Sequence, residues 1–208
     1  MTPSMARTRP QEHAFPGWLR WAAIAWLVTW TAIYWRTWGA ANFLHLSDIA
    51  VILTCLGLWS NSALLISSQA VASLAVDTAW TLDVIWKIFF GRHLLSGTEY
   101  FFDTQYPLWV RLITLFHLFM PPLLLWAVHR TGYDRRAWLL QSAIALPVFV
   151  ASRFTDPARN INFAFADPFF RRAWGLAPLH ITVIFLFMVL VIYLPTHLLL
   201  RRLFAANS

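Results

Sequence analysis

The sequence predicts an all-α integral membrane protein, a bundle of six transmembrane helices with two structured interfacial loops. Three observations carry this reading. Charged residues make up 12% of the 208, and mean hydropathy is +0.58, whereas soluble domains carry about 25% charged residues. Apolar runs of spanning length alternate with short polar segments, beginning with 28 uncharged residues from Ile49 to Val76. Thirteen tryptophans and seventeen phenylalanines suit bilayer interfaces and lipid-facing helix surfaces. No Gly/Ser linker or repeat divides the chain. Residues 17–203 therefore read as a single membrane-embedded helical domain behind a polar, Pro-containing tail over 1–16.

The first span is predicted over 17–38, flanked by Arg20 and Arg36 and anchored by Trp18, Trp21, Trp35 and Trp38. The run from Ile49 would reach about 42 Å as one helix, too long for a single ~30 Å hydrocarbon core. Trp59-Ser60-Asn61-Ser62 supplies a break, so helices over 43–60 and 62–86 are expected, joined by a tight turn. Residues 87–106 are too polar to span and too aromatic for a free linker, which fits an interfacial or re-entrant segment. A fourth helix over 107–129 contains Pro121-Pro122 and should kink there. The fifth, 137–153, contains Pro147. After a second polar and aromatic loop over 154–173, the sixth spans 174–200.

Six spans place both termini on one side, with loops 36–48, 87–106 and 154–173 opposite. Lys and Arg divide 8 against 8 between the two sides. The clusters Arg135-Arg136 and Arg201-Arg202 tip the expectation toward cytoplasmic termini. The net charge of +7 comes from arginines at the ends of apolar runs, where they snorkel or meet lipid head groups. Membrane lipids are thus the expected partners, with no nucleic acid, since no zinc-finger or RNA-binding signature accompanies the charge. The lone Cys55 excludes an internal disulfide.

The polar groups inside apolar segments are the candidates for chemistry. Leu44-His45-Leu46-Ser47-Asp48 places an imidazole, a hydroxyl and a carboxylate at a helix entrance, which is costly unless they are paired, wet or used. Gln69, Ser73, Asp77 and Thr81 recur every four residues and form one stripe. Asp77 lies deep enough to need a partner or a role, either interhelical bonding or the lining of a cavity. His117, one turn before Pro121, either satisfies a freed carbonyl or acts as a general base facing the bundle centre. His93, Glu99, Tyr100 and Asp103 could hold a cation or shuttle protons. No H-x-x-H, H-x-x-x-H or E-x-x-H spacing supports a metal, and none is assigned. Asn160 and Asn162 either bind head groups or close turns. No G-x-S-x-G elbow, P-loop or dinucleotide fingerprint is present, so no cofactor is expected.

LHLSDIAVIL (44–53), LFHLFMPPLLLW (115–126) and NINFAFADPF (160–169) resemble, in order and spacing, three motifs of a polytopic membrane family. That family includes a mammalian transmembrane acyltransferase acting on ether lysophospholipids and bacterial integral membrane proteins of unassigned function. Further segments, GTEYFFD, GYDRRAW and YLPTHLLLRRLF, are similar to bacterial members. The resemblance implies a six- or seven-helix bundle that does acyl chemistry through a nucleophile and a histidine. The nucleophile position falls on Ser47 and the histidine on His117. The family's cysteine is a serine here, and its Lys-Pro is Asp167-Pro168. A serine needs a base to act as nucleophile, whereas a thiolate needs less help.

Helical geometry pulls another way. At 100° per residue, His45 and Asp48 lie about 60° apart and Ser47 about 160° from His45. A helix starting at Leu44 turns His45, Asp48 and Cys55 inward and Ser47 aside. One starting at Ser47 makes that serine an N-cap. The leading expectation is a bacterial inner-membrane lipid acyltransferase or hydrolase, with Ser47 as nucleophile, His117 as base and Asp48 or Asp77 orienting. His45, His93, Glu99, Asp103, Asn160 and Asn162 then line the substrate site. The alternative is a non-catalytic transporter or accessory protein with a polar intramembrane cavity. A third reading is a metal-dependent hydrolase using His93, Glu99, Asp103 and His117.

Overall fold

The computed structural model describes residues 15–95 and 97–204, and these form helices with no strand among them. The main helices are α1 (Gly17–Trp38), α2 (Leu46–Ser60), α3 (Ala63–Phe90), α4 (Glu99–Phe102), α5 (Leu108–Ile113), α6 (Phe116–Thr131), α7 (Ala137–Ser152), α8 (Ala177–Phe187) and α9 (Leu194–Phe204). The tail expected over 1–16 lies outside the described residues except for Phe15 and Pro16. Phe15 is buried, packs on Trp126 and donates its N–H to Asn61.

Against the six spans that the apolar runs predict, three stretches among the described residues are long and apolar enough to cross a membrane: Ala63–Phe90, Leu108–Thr131 and Ala177–Phe204. The difference has a simple cause. The helices α2 and α7 have 15 and 16 residues, about 22 and 24 Å at 1.5 Å per residue, short of a ~30 Å core. The first helix has the length, but Arg20, its tryptophans and its threonines dilute its hydropathy.

At the turn between α2 and α3, Asn61 takes the left-handed conformation and the Ser62 hydroxyl caps the N–H of Leu65. Gly57 lets the two helices close: a Cβ there would meet the Ile66 side chain at 2.9 Å. The third helix is central and packs on α2, α6 and α7.

Proline acts somewhat differently from expectation. The predicted 107–129 helix does break, but at Thr114-Leu115, upstream of Pro121-Pro122, and α6 continues through both prolines. The last helix widens to a π turn over Met188–Tyr193, with Leu194 between it and Pro195. A proline ring crowds the carbonyl four residues back, and a π turn relieves that contact.

The three connections on one face are sewn together. Arg159 donates to the Trp38 carbonyl at 3.1 Å and the Asn42 side chain at 2.9 Å. Asn162 donates to the Leu44 carbonyl at 2.6 Å and accepts from the N–H of Leu46 at 3.0 Å. Tyr106 and Tyr100 pack on Trp38. After Gly91, the chain is pinned by Asp83, whose carboxylate accepts from His93, the Thr98 hydroxyl and the N–H groups of Leu94 and Leu95.

Asp167 organises the following turn by accepting from the N–H groups of Phe169 and Phe170 at 2.9 and 2.6 Å. Burial alone would push its carboxyl up, but these N–H donors and nearby Arg172 outweigh it and hold it below the usual range. A depressed carboxyl stabilises the fold above its unfolded value of about 3.9 and loses that contribution as pH falls through the lower folded value. Hydrogen exchange of residues 167–174 should therefore stay slow at pH 5 and rise only in stronger acid. Asp167→Ala should already raise it at pH 5, at a cost of about 1 kcal/mol, and should converge with the unsubstituted protein in stronger acid. Equal exchange in the variant at pH 5 would contradict this role.

Candidate functional site

The fourfold stripe on α3 meets α6 at mid-chain. Gln69, Ser73 and Asp77 are buried, and the Thr81 hydroxyl donates back to the Asp77 carbonyl at 2.8 Å. Across the interface, His117 Nδ1 lies 2.8 Å from Asp77 Oδ1, with the side chains 7% and 1% exposed. Beside a carboxylate Nδ1 acts as the donor, so in the neutral imidazole Nε2 is the nitrogen with the lone pair. No described residue hydrogen-bonds Nε2, and Asp77 Oδ2 is buried without a partner.

The imidazole is clamped between two rings. Trp80 stacks at 4.5 Å and 21°, and Phe116 at 4.1 Å and 28°. Trp80 is one helical turn beyond Asp77 on the same face of α3, and Phe116 adjoins His117 in sequence. Trp80 is fixed in turn by its indole N–H, which donates to the Tyr100 hydroxyl at 2.8 Å. Carboxylate, ring clamp and tethered indole thus leave His117 one orientation.

A second carboxylate lies nearby. Asp48, 3% exposed, accepts from the Asn42 amide at 2.7 Å, and Asn42 is held by Arg159. Tyr100 is within electrostatic reach of both Asp48 and Asp77, and Tyr34 of Asp48. Burial, reinforced by those two carboxylates, keeps the Tyr100 phenol protonated well above its usual range despite the Trp80 contact, so it remains a donor. His45 is partly buried and within electrostatic reach of Arg159 and His117. One polar cluster therefore joins α2, α3, α4, α6 and the 154–173 loop. Such a constellation can move a proton at Nε2 and donate a hydrogen bond at Tyr100.

The other sequence-predicted residues distribute as follows. The second helix starts at Leu46 with His45 at the N-cap position, so Asp48 and Cys55 face inward and Ser47 is half-buried in the first turn. Ser47 makes no hydrogen bond to His117. His93 is engaged by Asp83 and Thr98, Glu99 accepts from the N–H of Gly97, and Asp103 accepts from that of Gln105. These four candidate ligands, His117 included, go to separate partners. No group of three or more His, Cys, Asp or Glu able to share a cation occurs among the described residues. Asn160 accepts from the N–H groups of Phe165 and Ala166 and donates to the Ala166 carbonyl. Asn162 ties its loop to α2 and to Ser152. Both asparagines have left-handed backbones.

Sequence reasoning missed Asn42, Tyr34, Trp80, Phe116 and Arg159. Trp80 and Phe116 could have been found from their spacing to Asp77 and His117. Arg159, 111 residues from Asp48, carries no local signal. No family model, curated protein or solved structure matches the chain.

Proposed function

We propose that the chain is a multi-pass bacterial inner-membrane enzyme of lipid acyl transfer or hydrolysis, with His117 as general base and Asp77 as its orienting carboxylate. The observation that carries the reading is the buried Asp77–His117 bond, with the ring stacked by Trp80 and Phe116 and Nε2 hydrogen-bonded by no described residue. In this reading α1, α2 and α7 cross together with the three longer spans, the two shorter helices by local thinning of the bilayer. The termini and the 60–62 and 130–136 turns face the cytoplasm.

Nε2 takes the proton of an attacking hydroxyl as its oxygen bonds to an ester carbonyl carbon. When the tetrahedral intermediate collapses, the ester C–O bond breaks and the imidazolium returns the proton to the departing alkoxide. Tyr100, held neutral, supplies a hydrogen bond to developing negative charge. In the two-step version the attacking hydroxyl belongs to Ser47, as the resemblance to the ether-lysophospholipid acyltransferase family suggests, and a rotation of the α2 entrance brings it to Nε2. Water or an acceptor-lipid hydroxyl then takes the acyl group as Nε2 accepts its proton and returns one to the Ser47 oxygen. In the one-step version it belongs to water or an acceptor lipid.

The test combines phospholipid turnover with labelling by a serine-reactive phosphonate. His117→Gln should reduce turnover by about 10²- to 10⁴-fold, the usual worth of a positioned base. Labelling lost in Ser47→Ala selects the two-step version, and turnover without labelling selects the one-step version. A second reading, a non-catalytic accessory protein whose polar groups fasten helices, is favoured by the closed Asn42–Asp48–Arg159 set and the unbonded Ser47. It prevails if no phospholipid is turned over and no serine is labelled.

A further inference from the structure

The helices α1 and α6 both lie against α2, and aromatic pairs bridge them at two levels. Phe15 meets Trp126 at 5.6 Å at one end, and Trp30 meets Phe116 at 6.1 Å at the other. Between these bridges the helix wall opens into a crevice of about 380 Å³, the size range of small-molecule pockets. Ala22 and Trp26 form one side, Phe116 and Phe119 the other, and Val51 and Thr54 the floor. The opening exists because α1 presents alanines there: Ala22 and Ala23 reach less far across than the ringed residues above and below.

Two features distinguish this crevice from an ordinary gap between helices. Thr54 is 1% exposed, yet its hydroxyl has no hydrogen-bond partner. Thr81 and Thr182, by contrast, return theirs to the carbonyl four residues back, each at 2.8 Å. A buried unpaired hydroxyl is costly, and it marks a place where a polar atom of something else belongs. The second feature is the wall. Phe116 lines the crevice and also stacks on His117 at 4.1 Å. One side chain thus touches both the crevice and the His117 ring.

We propose that this crevice seats one fatty acyl chain of a membrane lipid, with the ester carbonyl accepting from the Thr54 hydroxyl. The mouth indicates the occupant. Its rim residues Leu112 and Phe119 are 45% and 64% exposed on Leu108–Thr131, one of the stretches able to cross a membrane, so the crevice is continuous with that helix's lipid-facing surface. In hydrocarbon, such a window is filled by an acyl tail, and an apolar lining with one donor suits a tail that ends in an ester. That this lipid is also the substrate rests on the base assigned to His117. Ser47, Asp48 and His45 lie at the same end of α2, above Val51, so an ester near Thr54 enters from below the polar cluster.

The experiment uses the purified full chain in nanodiscs containing a phospholipid with a photoreactive diazirine on its acyl chain. After irradiation, adducts are mapped by peptide mass spectrometry. Adducts should concentrate on 19–26, 51–58 and 112–123 and be lost in Ala22→Trp, which fills the mouth from an exposed position. Leu19→Trp plugs the other end and should act alike, while Ala25→Trp, off the crevice, should leave the adducts in place. Thr54→Val should weaken them and Thr54→Ser preserve them. Adducts spread evenly over exposed apolar positions such as Leu186 and Leu190, or unchanged by both plugs, overturn the site. Loss of adducts in a protein without turnover supports the site and removes only the catalytic reading. Full turnover in both plugged variants overturns the crevice as the acyl site while leaving His117 as base.

Discussion

His117→Leu is expected to destabilise the folded protein by about 3–5 kcal/mol, the cost of leaving a buried charge without its partner. Asp77 is 1% exposed, and its second oxygen is already unpartnered, so removing the imidazole leaves neither oxygen bonded. The measurement is reversible unfolding in mixed micelles, with Asp77→Leu and the double variant completing a cycle. Asp77→Leu removes the charge itself and should cost less than His117→Leu. The double variant should recover most of the loss, because two apolar residues of similar volume can replace a buried pair at little net cost. Two small and additive single effects would mean that the pair is not coupled in the folded protein. Turnover should vanish in all three variants, including the double variant whose stability returns, which separates the chemical role of the pair from its structural one.

Asn162→Ala should cost about 3–4 kcal/mol. The side chain bonds the Leu44 carbonyl, the Leu46 N–H and the Ser152 hydroxyl, at 2.6, 3.0 and 2.9 Å, each worth about 1 kcal/mol net. Its backbone is left-handed at φ 51°, a conformation that asparagine tolerates and that costs alanine about 1 kcal/mol more. Hydrogen exchange should rise in both partners at once, residues 40–46 and 157–166, because the bond set joins segments 116 residues apart. Asn162→Asp keeps the acceptor for Leu46 but turns two donors into acceptors facing the Leu44 carbonyl and the Ser152 hydroxyl, so it should rescue little. Increased exchange confined to the 157–166 loop would show that the loop does not hold the entrance of α2.

The entrance of α2 also shows how far local pattern reaches. Two starting points, Leu44 and Ser47, fit the residues equally, and each implies a different inward set. The chain takes neither. A 3-10 turn over Ala40–Leu44 ends at His45, and α2 begins at Leu46. Asp48 and Cys55 consequently face the interior, as the angular argument from Leu44 expects, with Ser47 beside them rather than among them. The start is shifted by Asn162, which bonds the backbone on both sides of His45 and belongs to another part of the chain. Periodicity could rank the faces of this helix but not find its first residue.

The residues of 87–106 carry a related lesson. His93, Glu99 and Asp103 suggest a cation site by composition, yet the backbone turns first. Glu99 and Asp103 each satisfy an N–H two residues away, and His93 meets Asp83 across the end of α3. Short acidic side chains in tight turns are drawn to the nearest unpaired N–H, and that competition is invisible in a list of ligand types.

By itself, the sequence determined the membrane-like, all-helical character, the break at Ser60-Asn61-Ser62 and the polar stripe on α3. These depend on hydropathy, turn residues and the 3.6-residue period, all of which are local. Only the tertiary structure decided that Asp77 meets His117, that Arg159 reaches Asn42 beside Asp48, and that α1 and α6 leave a crevice behind Phe116. Such meetings depend on the depth and rotation at which one helix packs against another. Those are set by the summed contacts of whole helix faces, so a rotation of one residue's angle would have given His117 a different neighbour.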